Sequence, residues 1–265
     1  MDPAIQAHCR EIDRCNQRGG RMLSIRDLLD ASTLTPELAA FCLAVIRNGG
    51  SFLVGAVPGG AGKTTVMGAL LNFVPPDVRL VPADSVRRIQ EGLRGGPRRC
   101  YICHEIGRGP YYAYLWGEPL RLYFQLPEAG HMLATNLHAD TLEETHAQIC
   151  LDNGVPQAQF HRMQLLLFLK VSGGWPPKRW IEEAWYSDGI HPHQQIYTQG
   201  EWTKDPTSWL SSAAWTTAQE LLQRLIRSGA RTIEEVRTFL VHDPSFQNFP
   251  SLHRSGEPNL TDSST

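Results

Sequence analysis

Residues 57–65 read Val-Pro-Gly-Gly-Ala-Gly-Lys-Thr-Thr. Glycines and a single alanine let consecutive backbone N–H groups converge on a polyphosphate, because no bulky side chain blocks the approach. A helix opening near Lys63 adds the positive end of its dipole. In that arrangement the phosphate-binding residues are Gly59, Gly60, Ala61, Gly62, Lys63, Thr64 and Thr65. Lys63 reaches the β- and γ-phosphates of ATP, and the Thr64 hydroxyl completes a Mg²⁺ shell. The position six before the lysine, usually glycine, is Val57. Its β-branched side chain disfavours a positive φ, so the strand-to-loop turn is expected to differ. Pro58 stands where partition-type ATPases carry a second lysine, which argues against that class.

Such a loop needs an acidic partner at the end of a neighbouring strand, to help hold Mg²⁺ or to orient water. Glu105 closes the run Arg99–Glu105 (RCYICHE) and fits. Asp84 is a further acid, although a carboxylate there also suits a helix cap. Two histidines follow, His131 after Gly130 and His138 after Leu137. Read alone, either one suits a packed core or interface as well as a reactive site. Cys100-x-x-Cys103-His104 matches a haem-attachment spacing, but strand alternation sends Cys100 and His104 to one face and Cys103 to the other. No second Cys-x-x-Cys exists to complete a zinc site. The basic run Arg87, Arg88, Arg94, Arg98, Arg99 and Arg108 reads first as a solvated, salt-bridged face. Nucleotide phosphates, a neighbouring subunit or nucleic acid are its other candidate partners. Tyr111, Tyr112, Tyr114 and Trp116 form either a partner surface or a satellite core.

The elements that must carry these groups are legible in the patterning. Thr35-Pro36-Glu37 opens a helix that Asn48-Gly49-Gly50 ends. Residues 51–54 read as a buried strand, 64–73 as a helix and 78–81 as a second strand. A basic helix is expected over 84–94 and a third strand over 99–105. Residues 107–117 read as a loop, 120–126 as a helix, 132–135 as a fourth strand and 141–150 as a helix. Residues 163–171 and 179–186 read as strands about the Gly173-Gly174 turn. Alternating strands and helices predict a mostly parallel sheet covered on both faces. Helices follow over 212–228 and from the Thr232/Glu235 capping box to Leu240.

The chain has 265 residues, 42% hydrophobic and 20% charged, which is enough for one large domain with a real core. Its net charge of −2 supplies no global attraction for nucleic acid or acidic membrane. No apolar run approaches the ~20 residues that span a bilayer, and the first residues are polar, unlike a secretory signal. Six cysteines, mostly in apolar segments, suggest reduced thiols in the cytoplasm.

The segment Glu128–Asp140, EAGHMLATNLHAD, resembles the histidine box of the ATPases of type II secretion, type IV pili and archaeal flagella. The likeness extends in order over roughly residues 23–200. LTPELAAFCLAVIRNGGSFLV resembles the lead into their phosphate loop, LRGGPRRCYICHE their aspartate-box and Walker B region, and LLLFLKVSGG with RWIEEAWYSDG their closing hairpin. His104, Ile106-Gly107-Arg108 and Arg98 depart from that pattern. The resemblance implies a RecA-like P-loop NTPase sheet flanked by helices, of α/β class, with a small helical C-terminal appendage. The expected organisation is a lead-in over 1–22, an ATPase domain over 23–200, the appendage over 205–242 and a disordered tail over 243–265. It further implies that Lys63 and Thr64 bind ATP and Mg²⁺, that Glu105 polarises water and shares the metal, and that His138 and His131 sense the γ-phosphate at a subunit boundary. A homo-oligomeric ring is implied, working on an inner-membrane platform protein of a secretion or pilus machine. The chain would then lie in the cytoplasm or peripherally at the membrane's inner face, with no direct nucleic-acid contact. The family's sensor-like N-terminal domain has no counterpart in the short lead-in, so hydrolysis is expected to be slow. A non-catalytic nucleotide-dependent regulator or adaptor is the alternative, and a small-molecule kinase with the same loop is a third.

Overall fold

The computed structural model describes residues 2–16, 19–57, 59–174 and 176–252. Pro58 of the glycine-rich loop and residues 253–265 of the expected tail lie outside the described residues.

Three helices, α1 (Pro3–Arg14), α2 (Ile25–Asp30) and α3 (Pro36–Arg47), precede the first strand, β1 (Phe52–Gly55). The helix starts follow from side-chain oxygens that meet free backbone amides. Thr35 accepts from Leu38 N and is followed by Pro36, and Ser24 with Asp27 forms a full capping box. Next come α4 (Lys63–Leu71), β2 (Arg79–Pro82), α5 (Val86–Leu93) and β3 (Arg99–Ile106). The short β4 (Tyr114–Leu115) and α6 (Glu118–Gln125) lead to β5 (Met132–Leu137). Then α7 (Leu142–His146) runs into a π-helical turn, Ala147–Asp152, and α8 (Gln157–His161) follows. Strands β6 (Leu165–Val171), β7 (Arg179–Tyr186), β8 (Gln194–Thr198) and β9 (Glu201–Trp202) complete the sheet. The chain ends on α9 (Ser212–Ser228), α10 (Ile233–His242) and α11 (Pro244–Gln247).

The sheet runs β2-β3-β5-β1-β6-β7-β8-β9, with β4 taking over the β2 side of β3 near its C-terminal end. From β2 to β6 the pairing is parallel, and β7 to β9 add antiparallel strands at one edge. The expected α/β architecture is therefore present. The short strands β4, β8 and β9 carry too few residues for a period to show in the sequence. One face packs against α1, α3, α4, α9 and α10, the other against α5, α6, α8 and the π-helical turn. Cys100 lies in the first core and Cys103 in the second, as strand alternation requires.

The two ends of the chain are part of this core. Ile5, Cys9 and Ile12 of α1 are buried, and Met22 and Ile12 lie close over Gly68 of α4, where a side chain would leave them no room. The lead-in is thus a packed helix that supports the loop-bearing helix. The C-terminal helices form as expected and lie on α3 and α1. Arg237 of α10, buried, donates to the carbonyls of Asn72, Val74 and Pro75, and Asn72 Nδ2 donates to Ile233 O. A cation thereby meets the carbonyls that the end of α4 leaves free. Disorder from residue 243 onward is corrected by the structure as far as residue 252. Asp243 caps α11, Phe246 is fully buried, and Arg47 donates to the Phe246 and Gln247 carbonyls. One buried aromatic outweighs the polar composition around it.

Candidate functional site

The site lies at the C-terminal ends of β1, β3 and β5, where an open parallel sheet leaves its strand-ends free for a ligand. The loop from β1 turns into α4 at Gly62, whose φ of +109° is left-handed. A side chain there would also crowd Arg179 Cδ at 3.2 Å. Gly60 is left-handed as well. Val57 is half exposed and has no positive φ. The strand-to-loop turn is instead tied down by its amide, which donates to Asp140 Oδ1 at 2.9 Å. Lys170 holds the other Asp140 oxygen at 3.1 Å.

The first turn of α4 has no side-chain cap. Its amides are therefore left for an outside acceptor, with the dipole favouring an anion. Thr64 and Thr65 sit half-buried on that turn. Behind the loop, Arg179 of β7 donates from Nε to Ala61 O at 2.9 Å and from Nη2 to Gly60 O at 3.5 Å. Gathering the loop carbonyls to a fixed guanidinium biases the opposite edge of the peptide groups, their N–H side, toward the cleft.

Three expected residues meet in front of this loop. Lys63 is 6% exposed, and its Nζ donates to Ala56 O at 3.1 Å. The same ammonium stands 3.6 Å from Glu105 Oε1. His138 Nε2 lies 3.8 Å from that oxygen. His138 Nδ1 is 3.0 Å from Val57 O and 3.4 Å from Lys63 Nζ. A carbonyl only accepts and an ammonium only donates, so Nδ1 bonds Val57 O when it carries the ring proton and Lys63 Nζ when it does not. Glu105 is 6% exposed. Burial raises its pKa above the usual carboxylate value, and the charges of Lys63 and His138 oppose that rise. A buried cation, a buried carboxylate and a half-exposed imidazole within 4 Å form a set suited to anion binding, metal sharing and water activation.

His131 does not belong to this group. It precedes β5 at the N-terminal edge of the sheet, whereas His138 follows the C-terminal end. Its Nδ1 accepts from Arg99 N at 3.1 Å, its Nε2 donates to Gly92 O at 3.1 Å, and its ring stands edge-on to Tyr101. The histidine expected to sense phosphate is a structural tie between β3, α5 and β5, because seven extended residues separate the two rings by roughly 23 Å. Asp84 is held by Arg88 at 2.7 Å on the adjoining helix. Of the basic run, Arg87 pairs with Glu91, Arg98 donates to Gly49 O, and Arg108 lies over Trp116.

The architecture and the loop define the class: an α/β protein with a mostly parallel sheet and a glycine-rich loop between a central strand and its helix. Among solved structures, the chain is similar to the VirB11 ATPase from the Brucella suis type IV secretion system in complex with sulphate. The identity is 20% and the TM-score 0.45, over 60% of this chain and 54% of that one. It is also similar to the ATPase DotB of Yersinia pseudotuberculosis, at 12% identity and a TM-score of 0.42, over 76% of this chain and 55% of that one. The ATPase DotB of Legionella pneumophila matches at 10% identity and a TM-score of 0.39, over 82% of this chain and 57% of that one. The chain thus spans a little over half the length of each. No family model matches it, and no curated protein is similar to it.

Proposed function

We propose that this chain binds ATP with Mg²⁺, hydrolyses it slowly, and serves as a motor subunit of a secretion or pilus-assembly machine. The observation that carries the reading is the meeting of Lys63, Glu105 and His138 in front of the uncapped start of α4. The residues fit a triphosphate. Amides of residues 59–65 and the Lys63 ammonium supply donors and charge, and the Thr64 hydroxyl with Glu105 supplies hard oxygen ligands for the metal. Mg²⁺, when bound, neutralises charge on the phosphates.

On substrate binding, Lys63 leaves Ala56 O and Glu105 for the β- and γ-phosphates. Glu105, released from its cation, orients water and draws its proton. His138 stands at the rim, half exposed, where it reads the γ-phosphate and a neighbouring subunit. In this reading the chain works as a homo-oligomeric ring against an inner-membrane platform protein, in the cytoplasm or peripherally at the membrane. Among the described residues no helix is long and apolar enough to cross a membrane.

The test is Glu105→Gln beside the wild type, with ATP binding and turnover measured separately. Binding should stay within a few-fold and turnover should fall by about 10²–10⁴. Equal turnover in the two proteins moves the catalytic role elsewhere. Tight binding without turnover in the wild type replaces the motor with a nucleotide-dependent regulator. Mass in solution with and without ATP and Mg²⁺ tests the ring.

A further inference from the structure

The strand that carries Glu105 is irregular where the carboxylate leaves it. β3 and β5 pair in step from Cys100↔Met132 to Cys103↔Thr135, then resume at Ile106↔Leu137. Between those pairs β3 spends two residues, His104 and Glu105, opposite the single residue Asn136. This is a β-bulge, which bends a strand and re-aims a side chain. The cores show its effect. Cys103 and Ile106 both lie in the second core, although strict alternation sends residues three apart to opposite faces. The extra residue absorbs that parity and lets Glu105 turn out of the sheet toward Lys63 and His138.

A bulge takes a residue's backbone groups off the ladder, and buried ones must find other partners. His104 N donates to Ala113 O at 2.9 Å. His104 O accepts from Asn136 Nδ2 at 2.8 Å. Asn136 itself is fully buried, and its Oδ1 is without a hydrogen-bond partner among the described residues. An orphan acceptor in a core destabilises the fold, so packing alone supplies no reason for an amide here. The donor that it places on the bulge does.

We infer that Asn136 is a positioning residue: by holding the bulged carbonyl of His104 it sets the aim of Glu105. The inference rests on the reading of Glu105 as the group that polarises water. Asn136→Leu keeps the branched shape and removes the donor. Asn136→Asp keeps the shape and donates only when protonated.

The expected result for Asn136→Leu is an affinity for a non-hydrolysable ATP analogue within about threefold of wild type and a kcat at least about tenfold lower. Asn136→Asp should turn over poorly at alkaline pH and recover as the pH falls, because the neutral carboxyl regains an O–H for the His104 carbonyl. That recovery is a readout that a role in packing would not produce. If the leucine variant fails to fold, the isosteric aspartate decides. Unchanged kcat in either variant, parallel loss of binding and turnover, or a flat pH response overturns the inference. Crystal structures of the wild type and Asn136→Leu supply a readout free of activity. Glu105 Oε1, 3.6 Å from Lys63 Nζ in the wild type, should lie farther from it in the variant, and an unmoved carboxylate also overturns the inference. A wild-type chain without ATP turnover sinks the reading of the preceding subsection, and this distance then still decides the role of Asn136.

Discussion

Replacing Lys63 tests the buried ion pair without any nucleotide. Lys63→Met keeps most of the side-chain volume and removes the ammonium that stands 3.6 Å from Glu105. At an effective dielectric constant of about 20 that attraction amounts to about 4–5 kcal/mol. Breaking a buried pair on one side typically costs about 3–5 kcal/mol. The fold has one escape, which is to protonate Glu105. Doing so at pH 7 costs about 1.4 kcal/mol for each unit above the unfolded pKa of about 4.3, hence about 3–4 kcal/mol. The penalty at neutral pH is therefore about 3 kcal/mol, or about 6–12 °C in Tm for a chain of this size. About 1 kcal/mol more, independent of pH, goes with the Nζ bond to Ala56 O.

The sign follows from the direction of the shift. Burial already raises the Glu105 pKa, and losing Lys63 raises it further. The folded state then holds its proton more tightly than the unfolded state. Stability of the variant falls as pH rises above about 4.3, and the ion-pair part of the penalty vanishes below it. Urea unfolding of wild type, Lys63→Met and Lys63→Met/Glu105→Gln between about pH 4.5 and about pH 8 measures it. The double variant should recover most of the loss. A deficit that does not change with pH, or that survives in the double variant, refutes the pairing.

Arg179→Ala should weaken binding of a non-hydrolysable ATP analogue by about tenfold, about 1.4 kcal/mol, with the fold retained, because the Ala61 and Gly60 carbonyls lose their anchor. Calorimetric titration checks this, and unchanged affinity would show that the loop holds its shape alone. His131→Phe should lower stability by about 1–3 kcal/mol through the stranded Arg99 amide and Gly92 carbonyl, and leave turnover as it was. Lost turnover at full stability would return His131 to the reactive site.

How far these residues could be read in advance depends on distance along the chain. The loop, its lysine and Glu105 belong to short segments whose strand and helix character is local, so their convergence at one end of the sheet followed from the fold class. His131 was misplaced because a matching seven-residue spacing says nothing of which end of a strand each histidine occupies. Asn136 and Asp140 lie in the histidine-box segment and Arg179 in the closing-hairpin segment, but the motifs attach no role to any of the three. Asp140 stands two residues from His138 and was within reach, but Arg179 meets the loop across more than a hundred residues. The tail from residue 243 hid Phe246 in a polar stretch, and only the pocket beneath α11 makes that ring a core residue.

The chain by itself determined the glycine-rich loop, the helix caps, the two periodicities and hence the α/β class, since each depends on neighbours a few residues apart. Tertiary structure alone decided which side chains face the loop, how the bulge aims Glu105, and that α1 and α9–α11 belong to one core. Those outcomes depend on partners brought together by sheet order and register, and a bulge of one residue reverses the facing of everything after it.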